Sequence, residues 1–221
     1  MNKENQFLID NAVKQYLPLM HELRIRLDLV AMACDGKCNL PPLYAREYAY
    51  LQFRYICELI ALGCLQLHGD LPVASGSKVK KEWNAENIMQ KLHNDHPHAF
   101  PQSARREISD SKHNIKCNSE LNALTRNEFK KLYNECGEVL HKGTIRKASA
   151  IFLKNQPDYN RVIAWQSKLV DLMNEHVITR PNNKGFYLIS LKTESEYPEC
   201  SIFTPDGING MTVETKKMSI V

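Results

Sequence analysis

The sequence lacks the features that would assign it to a membrane or to a secretory route. Its longest apolar stretches are broken by charged residues well before the roughly 20 residues that a membrane-spanning helix needs. The N-terminal residues show no basic segment followed by an apolar core, so no secretory signal is visible. The chain also has no internal repeat and no low-complexity segment. We therefore expect a cytoplasmic protein of ordinary globular composition.

Short motifs that mark common enzyme classes are missing as well. There is no P-loop, no dinucleotide-binding glycine fingerprint, no G-x-S-x-G and no H-E-x-x-H. Three histidines cluster at His93, His96 and His98, and Cys34 is followed by Cys38, but neither group supplies the four closely spaced ligands of a structural zinc site. We therefore expect no metal and no cofactor. The seven cysteines fit a reducing compartment, where no disulfide is needed.

The formal net charge is only +4, and the basic residues form no long run. Two short groups stand out, Lys78, Lys80 and Lys81 in one polar loop and Arg105 with Arg106 further along the chain. One interpretation is that they are solvated surface residues. The other is that they belong to a binding surface for a polyanion such as RNA. The sequence leaves both interpretations open.

Hydrophobic periodicity predicts four main helices and one short helix. In the first, over residues 5–34, apolar residues from Ile9 to Cys34 recur at alternating spacings of four and three, which is the a/d seam of a coiled coil. Pro18 lies inside this helix and is expected to kink it. A seam of this length needs a partner helix, either in the same chain or across a homodimer. The other helices are predicted over residues 43–68, 84–93, 125–143 and 159–177, and Thr125 with Glu128 forms a capping box at the start of the third of these.

After Pro181 the apolar period changes to two, which is typical of strands. Strands are predicted over residues 186–193, 200–204 and 211–215, with turn-forming glycine and asparagine residues before the last. They predict a three-stranded antiparallel β-meander packed on the helices. Residues 94–124 show no sustained period, which is typical of a functional or mobile segment. The predicted fold is therefore mainly α, a helical bundle over residues 1–178 followed by a small β-meander over residues 179–221.

Two features of the predicted helices are candidates for a functional site. Glu47, Arg54 and Glu58 project in similar directions from the second helix, at about 100° per residue, and Arg54 and Glu58 are spaced to form an ion pair. This polar stripe is either a structural ion pair or one wall of a polar pocket. His141 lies in the last turn of the capped helix. It is either a capping histidine or a catalytic or RNA-contacting imidazole.

Three runs of sequence carry a family resemblance: EYAYLQFRYICELIALGCLQLHGD (residues 47–70), KEWNAENIMQKLH (81–93) and LTRNEFKKLYNECGEVLHKG (124–143). They resemble a group of uncharacterised bacterial helical proteins that is similar in outline to the HEPN superfamily. The resemblance implies a dimeric helical bundle, and catalytic HEPN proteins are ribonucleases with an R-x4–6-H motif. Here Arg106-x6-His113 matches that spacing only in the irregular segment, and the corresponding helix has Asn134-x6-His141, with Asn in the place of Arg.

These observations lead to two functional hypotheses. The first is a HEPN-like binding or interaction protein without catalysis of its own. It would be a homodimer through the seam of the first helix, with RNA or a partner protein as its ligand. The resemblance implies a bacterial defence or stress setting for it. The second is a metal-independent ribonuclease in which His141 acts with Arg54 and Glu58.

Overall fold

The computed structural model describes residues 3–76, 79, 81–109, 112–141, 159–193, 196–207 and 210–218. Within these ranges the chain forms five helices longer than one turn, a one-turn helix and six strands. The helices are α1 (Lys3–Cys34), α2 (Pro42–Leu67), the one-turn α3 (Pro72–Ser75), α4 (Ala85–Asp95), α5 (Arg126–Leu140) and α6 (Asn160–Met173). The strands are β1 (Gln102–Ser109), β2 (Lys112–Cys117), β3 (Glu175–Thr179), β4 (Phe186–Ser190), β5 (Glu199–Pro205) and β6 (Met211–Lys217).

The six strands form one curled antiparallel sheet in the order β2-β1-β3-β4-β5-β6. Strands that follow each other in the chain pair as β1 with β2, β3 with β4, β4 with β5 and β5 with β6. The pairing of β1 with β3 brings Ser103 opposite His176 and joins the two parts of the sheet. Since α5 and α6 lie between β2 and β3 in the chain, this pairing is between strands that are far apart in the sequence.

The predicted fold class, a mainly helical bundle with a three-stranded meander, is wrong. The three predicted C-terminal strands exist, but they make up half of a six-stranded sheet. β1 and β2 lie in the segment 94–124 that showed no period, because charged residues on both faces of β1 hide the strand alternation. β3 was predicted as the end of the last helix, because Val177 continues the four-residue apolar spacing after Met173. The boundary expected after residue 178 falls inside β3.

The seam of α1 is used inside the protein. Its apolar residues pack on α2 in the main core, and Val13, Met20, Leu23 and Val30 are fully buried. α2 lies so close to α1 that a Cβ on Gly63 would be 2.7 Å from the ring of Tyr16. The homodimer predicted through this seam therefore has no exposed seam surface to use. No helix in the described part of the chain is long and apolar enough to cross a bilayer.

One face of the sheet completes the core. Ile178, Tyr187, Ile189 and Ile202 point towards the helices and belong to the same buried cluster as α1 and α2. The opposite face carries a smaller cluster built on Ala104, Leu188 and Phe203. α1 also contacts the sheet through a buried hydrogen bond of 2.8 Å between the hydroxyl of Tyr16 and Nε2 of His176. Helices and sheet therefore share one hydrophobic core.

Candidate functional site: a cleft at Arg180

A cleft of about 470 Å³ opens where the N-terminal half of α1, the end of α2, the β3–β4 turn and the end of β5 meet. Volumes in this range are typical of small-molecule sites. The apolar wall consists of Leu8, Ile9, Ala12, Leu67, Tyr187 and Pro205. The polar wall consists of Asn11, Gln66, Asp70, Arg180, Asn182, Asn183, Lys184 and Thr204.

The β3–β4 turn that forms one side of the cleft has an unusual backbone. Asn182 and Asn183 both have positive φ angles, of 56° and 54°, and Gly185 has a φ of 99°. Asparagine and glycine tolerate this left-handed region better than other residues. The backbone N–H of Arg180 donates to the carbonyl of Gly185 at 2.8 Å, which closes the turn. The sequence therefore fixes the position of the side chains that line the cleft here.

Arg180 is the most unusual residue of the cleft, because it is only 7% exposed and yet lines an open cavity. Its Nη1 donates to the carbonyl of Lys184 at 2.9 Å and to Oγ1 of Thr204 at 3.3 Å. The guanidinium carbon lies 5.5 Å from the centre of the Tyr187 ring. Burial raises the pKa of Tyr187 to about 12, and the charge of Arg180 opposes that rise. No described carboxylate forms an ion pair with Arg180, so its charge is buried without a counter-ion among those residues.

An ion pair also lines the cleft. Lys184 of the β3–β4 turn forms a salt bridge of 2.9 Å with Asp70, which follows α2. Both side chains are partly exposed, so this ion pair is weak and screened by salt. The lining therefore contains two cations and one carboxylate, which leaves one net positive charge, and that charge is the buried one.

Two histidines hold the chain just before Arg180. The Nε2 atoms of His68 and His96 lie 3.1 and 2.9 Å from the carbonyl oxygen of Thr179. Burial lowers the pKa of His68, although its contacts with carbonyl groups partly offset this. Both ring nitrogens of His68 are therefore used at carbonyl groups, Nδ1 at Cys64 and Nε2 at Thr179, and the residue does not line the cleft.

The polar stripe predicted on α2 is only partly a cluster. Nε of Arg54 donates to Oε1 of Glu58 at 3.2 Å, so the predicted pair is formed. The guanidinium of Arg54 lies 5.5 Å from the ring centre of Tyr133 on α5, and about a quarter of each charged side chain is exposed. Glu47 lies nearly two turns before Arg54 and is half-buried. The structure therefore presents Arg54 and Glu58 as a half-exposed pair between two helices.

His141 follows the end of α5 and is exposed, and its side chain has no hydrogen bond or ring contact with another described residue. It lies eight residues after Tyr133, which is about 12 Å along a helix. Because of this separation we expect no shared site between His141 and Arg54, and no cleavage of total RNA by the purified protein in EDTA. Cleavage that His141→Ala and Arg54→Ala each abolish would contradict this expectation and support the ribonuclease hypothesis.

The predicted basic groups are only partly described by the structure. Lys78 and Lys80 lie outside the described residues, and Lys81 is exposed. Arg105 and Arg106 are consecutive residues of β1 and therefore point to opposite faces of the sheet. Arg105 is exposed.

Arg106 is half-buried and is held by polar contacts. Its Nη2 donates to Oγ of Ser201 at 2.9 Å, and its backbone N–H donates to Oε2 of Glu175 at 2.8 Å. Ser190 donates to the other oxygen of Glu175, also at 2.9 Å, and Thr215 contacts Ser201. Arg106 is therefore part of a polar network that joins β1 to the four strands β3, β4, β5 and β6.

A second polar cluster, missed in the sequence, centres on Glu135 of α5. Arg161 donates to both of its carboxylate oxygens, at 2.5 and 2.6 Å, and Tyr50 and Trp165 also donate to it. Burial alone would raise the pKa of Glu135, but these hydrogen bonds and the charge of Arg161 lower it overall. Because all its described contacts are with side chains from α2 and α6, we interpret Glu135 as a residue that joins three helices.

Two of the three clustered histidines lie together, since the ring centres of His96 and His98 are 6.1 Å apart. Nδ1 of His93 contacts the carbonyl of Pro97, while Nε2 of His96 is used at Thr179. In the part of the chain that the structure describes, no three or more His, Cys, Asp or Glu side chains are grouped to hold a metal ion. All seven cysteines are free thiols.

Comparison with known proteins does not extend these observations. No protein-family model, curated protein or solved structure matches the chain. The HEPN resemblance therefore stays a prediction, and the functional argument depends on the cleft.

Proposed function

We propose that this protein is a binding protein that takes a small-molecule ligand in the Arg180 cleft. The single observation that carries the proposal is a nearly buried guanidinium that lines an open cavity and has no described counter-ion. Burying a charge without compensation is costly, and a ligand that supplied the opposite charge would reduce that cost. The cleft also has the mixture of apolar wall and converging polar groups that is typical of ligand sites.

Several features support binding rather than catalysis. The polar wall supplies amides, one hydroxyl and charged groups, which orient a ligand. The two histidines nearest to Arg180 use their Nε2 atoms at the Thr179 carbonyl and do not line the cleft. A general base must reach the proton that it removes, and neither histidine is placed to do so. This proposal keeps the sequence-based hypothesis of a non-catalytic binding protein but locates its site elsewhere.

A screen of small molecules by ligand-observed NMR tests the proposal. Ala12→Trp and Asn11→Trp would each fill the cleft from α1, Ala12 from its half-buried side and Asn11 from the exposed rim. We expect ligands that bind the wild type to lose binding to both variants, because the added indole occupies the cavity. Ala164→Trp is the matched control, since Ala164 is exposed on α6 and does not line the cleft.

Thermal unfolding of each variant checks that the fold is kept. Ligands that bind Ala12→Trp and Asn11→Trp as well as the wild type would place the binding site outside the cleft. The absence of any ligand for the wild type across a broad library would contradict the proposed function itself.

A further inference from the structure

The charges of the cleft restrict the ligand that it can hold. Asp70 and Lys184 neutralise each other across the opening, whereas Arg180 has no described carboxylate partner. A ligand with one negative charge would neutralise Arg180 without disturbing the other pair. A neutral ligand would leave the guanidinium uncompensated, and a second negative charge on the ligand would have to compete with Asp70 for Lys184.

The geometry of Arg180 favours a planar anion. Nη1 donates to the carbonyl of Lys184 and to Thr204, and the phenol of Tyr187 is a further hydrogen-bond partner of the guanidinium. Apart from the nearby phenol of Tyr187, the Nε and Nη2 edge of the guanidinium has no described acceptor. That edge presents two parallel N–H groups, which match the two oxygens of a carboxylate. The Nη1 bonds hold the guanidinium in place, so a ligand would meet a side chain that is already ordered.

The other wall of the cleft determines the body of the ligand. Leu8, Ile9 and Ala12 of α1, Leu67 of α2 and Tyr187 of the sheet line the same cleft as the guanidinium, so apolar surface is available for the body of a ligand. Side-chain amides at Asn11 and Gln66 lie at the α1–α2 side and can bind one further polar group.

We propose that the ligand is a small organic acid with one carboxylate, which binds Arg180, and an apolar aliphatic or aromatic body, which packs against α1 and Tyr187. This inference rests on the proposed function of the cleft and adds the chemical class of the ligand. The carboxylate supplies the counter-ion that the protein itself does not provide among its described residues.

Matched pairs of acid and amide test this class directly. Hexanoate, benzoate and phenylacetate are titrated at neutral pH beside hexanamide, benzamide and phenylacetamide, which have the same bodies without the charge. We expect the best acid to bind at least about tenfold more tightly than its amide, which is the usual effect of one charge-assisted hydrogen-bonded pair. Arg180→Gln should remove this preference, and Arg180→Lys should keep only part of it because the two parallel donors are lost.

Two further variants give a test that does not depend on Arg180, whose loss also weakens the β3–β4 turn. Asp70→Asn removes the carboxylate of the cleft, and Lys184→Gln removes the partly exposed cation. We expect Asp70→Asn to tighten binding of the acid by about two- to fivefold and Lys184→Gln to weaken it by a similar factor, with little change for the amide. Both residues are partly exposed, so the fold should tolerate either change.

The outcomes separate the ligand class from the proposed function. If amides bind in the cleft as tightly as their acids, or if the library yields cleft ligands but no acid among them, the cleft is a binding site and this inference is wrong. Tighter binding of phenyl phosphate than of phenylacetate would also contradict it, because the head group would then be a phosphate. If nothing binds in the cleft, the proposed function fails as well.

Discussion

Substitution of Gly185 by alanine is expected to destabilise the protein by about 4 kcal/mol or more, which is at the upper end of single-residue effects. A Cβ at this position would lie 1.9 Å from the carbonyl oxygen of Phe203 and 2.9 Å from its carbonyl carbon. Both atoms belong to the backbone of β5, which is held between β4 and β6, so they cannot move aside without breaking strand pairing. The φ of 99° adds strain for any residue with a side chain.

Gly207→Ala is the control that separates these two causes. Gly207 also has a positive φ, of 84°, but a Cβ there would meet nothing within 4 Å. We expect this variant to lose only about 1–2 kcal/mol, the usual cost of the left-handed conformation. Urea unfolding followed by circular dichroism measures both variants. If the two lost equal stability, the close approach of Gly185 to β5 would not be a constraint on the fold.

The helical part of the fold was largely readable from the sequence because its signals are local. The seam of α1 follows from spacing alone, and the capping box at Thr125 and Glu128 is formed as predicted. The strands were harder because their burial is decided by distant partners. Arg106 gives β1 a half-buried charged residue on the face where Ala104 is buried, and the partners of its side chain, the carboxylate of Glu175 at 3.9 Å and the hydroxyl of Ser201, come from other strands.

The cleft was not predicted because its residues come from four distant parts of the chain. The one local signal was the Pro181–Gly185 turn, in which two asparagines precede lysine and glycine. That pattern predicts a tight turn, but it does not show that Arg180 lies buried behind the turn. The polar stripe of α2 is the opposite case, because part of it could be predicted. Spacing predicted the Arg54–Glu58 pair, which is formed, but spacing could not show that His141 lies beyond the end of α5.

Lowering the pH from about 7 to 4 is expected to destabilise the protein before its carboxylates titrate, because of His176. This residue of β3 is fully buried and contacts Tyr16 of α1. Burial lowers its pKa to about 4. A histidine in an unfolded chain has a pKa near 6.5, so the unfolded state binds the proton first as the pH falls. Its contribution is fully present above about pH 6.5 and is lost as the pH falls towards 4, by about 3 kcal/mol in total. The lowered pKa of His68 acts in the same direction.

The contacts of His176 make this prediction specific. Its Nδ1 lies 3.0 Å from the carbonyl of Met173, which accepts a hydrogen bond, and its Nε2 lies 2.8 Å from the hydroxyl of Tyr16, which can donate one. The neutral imidazole therefore satisfies both partners, whereas a protonated ring would turn Nε2 into a second donor. His176→Gln should reduce the slope of unfolding free energy between pH 6.5 and 5, measured by urea titration at each pH, while His141→Gln at the exposed end of α5 should leave it unchanged. An unaltered slope in His176→Gln would show that another group causes the loss of stability in acid. His68 would then be the first to test, by His68→Gln.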